Sequence, residues 1–189
     1  MTDKTIQYPH NGFTGLGIAP SLLDAIDRLK FTEPTPIQRR SIPTAIKGKD
    51  LIAVAQTGTG KTFAYGIPII QRLAQIKGRC LVIAPTRELA LQVDDALNAI
   101  GRSLGLTTTV LIGGASMSVQ LRCLRRKPRV IVATPGRLID HLEHRTVNLA
   151  DVKILVLDEA DRMLDMGFAP QINRILAVIP KKRQIMLFS

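Results

Sequence analysis

From Asp50 onward the apolar positions fall into six short runs, separated by stretches with a different period. The runs are Leu51–Ala55, Cys80–Ala84, Thr108–Ile112, Val130–Ala133, Ile154–Leu157 and Gln184–Phe188. Runs this short and this apolar suit strands covered on both faces. Residues 88–104 behave otherwise. Leu89, Val93, Ala96, Leu97, Ile100 and Leu104 recur at helical spacing, and Gly105 stands where a left-handed cap belongs. Two more helices, near Ala19–Leu29 and Ile37–Ile46, precede the first strand, and Pro68 predicts a kink in the helix after it. Strand and helix in alternation predict an α/β fold, a mainly parallel sheet with helices on both faces.

The 189 residues suit a single domain. A chain of that length buries roughly 70% of its unfolded surface, so its core needs no metal or disulfide. Cys80 and Cys123 stand far apart, which excludes a disulfide framework or zinc module. With no signal-peptide core and no apolar run near the ~20 residues of a membrane span, a cytoplasmic location is expected. Lys and Arg number 26 against 15 acids, for a net charge of +11. That excess points to a polyanionic partner, nucleic acid first. Aromatics are 4% of the chain with no Trp, which argues against a platform for stacking bases. The chain ends at Ser189 directly after an apolar run, so a piece of a longer protein is expected.

Chemistry concentrates at two strand ends. Ala55-Gln56-Thr57-Gly58-Thr59-Gly60-Lys61-Thr62 follows the first strand and opens a helix, as a P-loop does, with Ala55 in place of the usual first glycine. Gly58 and Gly60 let the backbone curl so that successive amides face phosphate oxygens. The helix N-terminus adds its positive dipole end. Lys61 can reach the β- and γ-phosphates of a nucleotide, and the Thr62 hydroxyl can bind Mg²⁺. The fifth strand ends in Asp158-Glu159-Ala160-Asp161. Asp158 there would hold Mg²⁺ through its water shell, and Glu159 would polarise the attacking water.

Asp158-Glu159-Ala160-Asp161 spells the signature of the DEAD-box ATP-dependent RNA helicases, and the other motifs stand in that family's order. Phe31-Thr32-Glu33-Pro34-Thr35-Pro36-Ile37-Gln38 resembles the adenine-reading Q motif, with Phe13 as its upstream aromatic. Pro85-Thr86-Arg87-Glu88-Leu89 resembles motif Ia, Gly113-Gly114 the glycine doublet and Thr134-Pro135-Gly136-Arg137 motif Ib. Ser189 would open a truncated Ser-Ala-Thr motif. The likeness runs from Phe13 to Ser189 and is to the bacterial type. It implies one RecA-like ATP-binding domain over residues 1–189, with the Q motif at 13–38 and a second RecA-like domain absent from this chain. It further implies that Gln38 pairs with adenine, that Phe31 and Phe13 lie against the base, and that residues 56–62 hold the nucleotide. Pro85, Thr86, Arg87, Gly113, Gly114, Thr134, Pro135, Gly136 and Arg137 would touch RNA backbone, without regard to sequence. Asp161 would tie the nucleotide site to Ser189. A monomeric piece is expected, able to bind nucleotide but poor at hydrolysis.

Other features suggest less. His141 and His144 are spaced i, i+3, but two ligands without a third read as a solvated helix face. Arg122, Arg125, Arg126, Lys127 and Arg129 form the densest basic cluster, expected to face solvent and to add non-specific RNA attraction. A GTPase would need Asn-Lys-x-Asp to read guanine, and none occurs. A DNA helicase would not be expected to carry Phe31 through Gln38 together with residues 158–161. The rival of another class is a non-catalytic module that binds nucleotide or RNA and turns nothing over.

Overall fold

A computed structural model of the chain describes residues 12–189. Helices α1 (Pro20–Arg28) and α2 (Pro36–Ile46) lead into β1 (Leu51–Ala53) and α3 (Lys61–Gln75). There follow β2 (Arg79–Ile83), α4 (Arg87–Gly101), β3 (Thr108–Leu111), α5 (Met117–Arg125), β4 (Val130–Ala133) and α6 (Pro135–Glu143). The chain closes with β5 (Val152–Asp158), α7 (Ala160–Asp165), α8 (Ala169–Val178) and β6 (Gln184–Phe188). All strand pairs are parallel, in the order β1-β6-β5-β2-β4-β3.

Alternation along the strands divides the core in two. Ile154 and Val156 of β5 join Cys80 and Val82 of β2 under α3 and α4, packed with Tyr65, Ile69, Val93 and Leu97. Leu155 and Leu157 point the other way with Leu81 and Ile83, under Leu138 of α6, Met163 of α7 and Ile175 of α8. Period-two side chains with helices on each side are what make β2, β4 and β5 apolar throughout. A third cluster joins α1 to the outer surface of α2, α3 and α4 through Leu22, Ile26, Ile42, Ile67 and Ile100. No helix among the described residues is long and apolar enough to cross a membrane.

The first strand departs from expectation. It is three residues long rather than five and lies at the sheet edge, with Ile52 75% and Val54 78% exposed. An edge strand is not covered as central ones are, so its apolar run overstated its burial. The helix expected over 88–104 is α4 followed by a 3₁₀ turn at Arg102–Leu104, which tightens into Gly105 at φ 78°. Pro68 lies inside α3, which continues unbroken from Lys61 to Gln75.

Candidate active site

Parallel strands place all their C-terminal ends along one edge, where ligands of open α/β sheets bind. The strand order sorts the motifs along that edge. The P-loop follows β1, Ser189 follows β6 and Asp158 ends β5, and these three strands are neighbours. Residues 85–87, 113–114 and 134–137 follow β2, β3 and β4, which are neighbours on the other half.

On the first half a cleft of about 350 Å³ is lined by Thr57, Gly58, Gly60, Lys61, Thr62, Asp158 and Glu159, with Leu89, Gln92 and Ala96 of α4 opposite. Gly60 caps α3 with φ 86°, and a side chain there would run into the Gln38 amide. Lys61 is largely buried and donates to the Ala55 carbonyl at 2.9 Å, folded back across its own loop. The Thr59 hydroxyl donates to the Gln56 carbonyl at 2.6 Å. The loop is therefore closed by its own hydrogen bonds.

Gln38 joins this loop to α2. Its Oε1 accepts from the Thr35 amide at 3.0 Å, half of a capping box, and its Nε2 donates to the Gly60 carbonyl at 3.1 Å. One lone pair and one amide proton are still free for a donor–acceptor base edge. Phe31 is 43% exposed and packs against Phe63, ring centroids 4.6 Å apart, so it is a surface aromatic beside α3. Phe13 is placed elsewhere. It is 5% exposed within the cluster under α1, with no face free for a base.

The carboxylates are held in distinct ways. Asp158 is buried, accepts from the Tyr65 hydroxyl through Oδ2 at 2.7 Å and from the Glu159 amide through Oδ1 at 3.1 Å. Burial pushes its carboxyl above the usual range, while the Tyr65 bond and the Lys61 charge pull it back. Glu159 has a left-handed backbone, φ 50°, uncommon for a non-glycine, and its Oε2 accepts from Arg162 at 3.0 Å. The Ser189 hydroxyl holds the Asp161 carboxyl below the usual range. Ser189 also donates to Ala53 and accepts from Ala55, which fastens the end of β6 to the start of the P-loop. Sequence reasoning missed Tyr65. An aromatic in an apolar helix looks like core until Asp158 is found facing it.

The other half is built from backbone. Thr86 caps α4, its hydroxyl accepting from the Leu89 amide at 3.2 Å, and Pro85 beneath it is buried. Arg87 is exposed and lies over Gly114, which has φ 73° and has no room for a Cβ beneath that guanidinium. Gly114 thus serves Arg87 as well as any outside backbone. Gly113 and Gly136 have open space where a side chain would be. Thr134 and the buried Pro135 open α6, and the Thr134 amide donates to Leu111 at 3.0 Å. Arg137 donates to the Ala115 carbonyl at 3.2 Å and sits 3.4 Å from Asp140, so it ties the glycine loop to α6.

Two expectations about side chains fail here. His141 is fully buried rather than solvated. Its Nδ1 shares a hydrogen with Thr146 at 2.8 Å and its Nε2 one with Gln120 at 3.2 Å. Gln120 in turn donates to Ile112 and Ala115, so this network supports the glycine loop from behind. Desolvation lowers the His141 pKa and favours its neutral ring. His144 is exposed as expected. Arg129 does not face solvent with its neighbours, because it donates to the carbonyls of Leu73, Ile76 and Gly78.

The sequence model of the DEAD/DEAH box helicases matches residues 35–189. The ATP-dependent rRNA helicase RRP3 of Candida albicans is 54% identical over 190 residues, covering 99% of this chain and 36% of that protein. Its counterpart in Debaryomyces hansenii is 50% identical over 192 residues, covering the whole chain and 40% of that protein. A DEAD box protein from the hyperthermophile Methanococcus jannaschii superposes with a TM-score of 0.87 at 36% identity, over 94% of this chain and 49% of that one. The chain thus spans less than half the length of these relatives. The matched region runs from the α2 cap at Thr35 to Ser189 beside the P-loop, and the chain belongs to the DEAD/DEAH box helicase family.

Proposed function

We propose that this domain is the ATP-binding half of an RNA-dependent ATPase that locally opens or remodels RNA duplexes. The observation that carries the reading is the sorting of the sheet edge: a phosphate loop and two acids on β1-β6-β5, glycine loops and arginines on β2-β4-β3. ATP is held by the amides of residues 57–62 and by Lys61 turning from Ala55 to the phosphates. Gln38, already bonded to Gly60, reports adenine occupancy to the same loop. Mg²⁺ is the metal the donor set fits. Thr62 and Asp158 offer two hard oxygens, no group of three or more His, Cys, Asp or Glu that could hold an ion occurs among the described residues, and Mg²⁺ takes few carboxylates beside phosphate and water. Such an ion neutralises charge developing on the phosphates. Glu159, released from Arg162, orients and polarises the attacking water. Asp161 and Ser189 carry the state of this site to the chain beyond.

RNA is held through its backbone by Arg87, Arg137 and the open backbone at Gly113 and Gly136, so binding is independent of sequence and sensitive to salt. Hydrolysis is completed by a second RecA-like domain of the longer protein, which supplies the arginine worth ~10³–10⁵ in rate. The 189-residue chain alone is then a monomer that binds nucleotide weakly and turns it over near background. A cytoplasmic location belongs to the same reading, supported by two free cysteines and the basic charge. The test is ATP turnover, with and without RNA, by this chain and by the longer protein. Stimulation only in the longer protein is expected. Full RNA-stimulated turnover by residues 1–189 would overturn the two-domain mechanism, and none in either would favour a non-catalytic binding module.

A further inference from the structure

The site above uses the edge where the strands end. The edge where they begin carries a separate array. Two grooves open there, of about 430 and 670 Å³, and Lys77 lines both. The first sits at the starts of β1, β6 and β5, bounded by Gly48, Arg72, Lys153, Lys182, Arg183 and Gln184. The second sits at the starts of β2 and β4, with Arg79, Lys127 and Arg129. In the order β1-β6-β5-β2-β4 the two cross five neighbouring strands. Four strand spacings of about 4.8 Å make a band about 19 Å long.

The cations along it divide into two kinds. Arg79 is spent on Asp151, the carboxylate lining the second groove, at 2.8 and 2.9 Å. Arg129 is spent on the carbonyls that end α3. These two serve the fold. Lys77, Lys127, Lys153 and Lys182 are exposed, and none of them joins an ion pair among the described residues. No carboxylate lines the first groove, and Asp50 nearby already accepts from the Ile185 amide at 2.7 Å. A second observation points the same way. Arg72 Nε and Arg183 Nε are buried in this groove with no partner, while the orphaned acceptor there is Gln184 Oε1. Buried donors without partners are rare, and the two guanidinium groups that carry these add positive charge to the wall of a groove that no carboxylate lines.

We infer that the strand-start edge is a second track for an RNA phosphate backbone. A row of cations spread over about 19 Å suits a string of phosphates better than one compact anion. At about 3.4 Å per nucleotide on a stacked strand, the band spans five or six phosphates. No aromatic side chain lines either groove, so the contact is with backbone and not bases. The choice of RNA among polyanions rests on the function proposed above. The track would hold a flank of the same RNA whose other part lies on the motif loops, and so keep a substrate near the domain between cycles.

The experiment is fluorescence-anisotropy titration of this chain with a labelled 20-nucleotide oligouridine at several salt concentrations. Lys77→Gln, Lys153→Gln and Lys182→Gln are combined in one variant. All three side chains are exposed, and an unchanged melting temperature confirms its fold. The slope of log affinity against log salt should fall by about two, at about 0.7 per phosphate on a single strand, with at least a tenfold loss of affinity at low salt. Arg87→Ala with Arg137→Ala forms the second arm. If that pair weakens binding while the lysine variant changes neither affinity nor slope, the track is overturned and RNA contact at the motif loops stands. If neither changes binding, both assignments fall. Polyglutamate that competes as well as RNA at equal charge would overturn RNA as the occupant.

Discussion

The two halves of the strand-end edge are built on different principles. In the nucleotide half four chemical side chains are pinned by other groups: Gln38 by Thr35 and Gly60, Lys61 by Ala55, Asp158 by Tyr65, Glu159 by Arg162. In the half that carries the glycine loops the surface is cleared rather than filled, with open space over Gly113 and Gly136 and a guanidinium over Gly114. Bond-breaking chemistry needs charges at fixed positions before the substrate arrives. Contact with a polymer backbone needs close approach and a positive field, and tolerates looser placement. Substitutions should therefore act on nucleotide binding and hydrolysis in the first half and on RNA affinity in the second.

Glu159→Gln should show the largest effect. The amide keeps the size of the side chain and its bond to Arg162 but cannot polarise water as a carboxylate does. Hydrolysis by the longer protein should fall ~10²–10⁴-fold with nucleotide affinity retained. Single-turnover kinetics beside equilibrium binding would show this, and near-normal turnover would assign the base elsewhere. Gln38→Ala comes next. It should cost ~1–3 kcal/mol of ADP affinity, the scale of a lost bidentate base contact, and should erase preference over GDP. Equal calorimetric affinities for ADP and GDP in the unmutated chain would remove Gln38 from base reading.

Asp158 sets function against stability within the same half. Its carboxyl is raised by burial, so the folded state favours the protonated form. The stabilising contribution is full below the unfolded value, about 3.9, and is lost as pH rises through the folded one. Asp158→Asn removes the buried charge and leaves Tyr65 an acceptor. We expect its melting temperature to exceed that of the parent by ~2–4 °C at pH 7.5, a gain of about 1 kcal/mol, and the gap to close near pH 4. Mg²⁺-dependent nucleotide binding should disappear in the same variant. Tyr65→Phe should do the reverse, costing ~1–3 kcal/mol at pH 7.5 because a buried carboxylate oxygen loses its donor. A gap that persists unchanged at pH 4 would mean that the Asp158 charge is not its source.

Much of this was legible in the chain. Period and run length placed all six strands to within two residues at either end, because in a doubly covered sheet apolar content and strand position coincide. The P-loop and the acids meet in one cleft, as their places after the first and fifth runs imply. What stayed hidden depends on partners distant in sequence. Tyr65 and Asp158 are 93 residues apart, and His141 is buried because Gln120 comes to meet it from α5. Phe13 shows the converse: the resemblance sets an aromatic against the base, and packing holds it within the cluster under α1. Ile52 and Val54 read as core because hydropathy does not say which strand lies at the edge.

The remaining predictions concern two glycines of the second half and test its principle directly. Gly114 has φ 73° and no space beneath Arg87, whereas Gly136 lies in the first turn of α6 with open space at its Cβ position. Gly114→Ala should destabilise the domain by ~1–2 kcal/mol, since an L-residue is strained in the left-handed region. The Arg87 guanidinium is the end of a flexible chain and can swing aside, so the backbone carries most of that cost. Displacing Arg87 should also weaken RNA binding. Gly136→Ala should do the opposite to stability, raising it by up to ~1 kcal/mol, because alanine loses less entropy in a helix. If RNA backbone approaches α6 closely, the same methyl group obstructs it, and affinity falls while stability rises. Thermal melts and RNA titrations on both variants separate these cases. A Gly136→Ala domain that is more stable and binds RNA at full strength would show that the cleared surface over α6 is helix geometry alone, and would leave Arg87 and the loop at Gly113 to carry the contact.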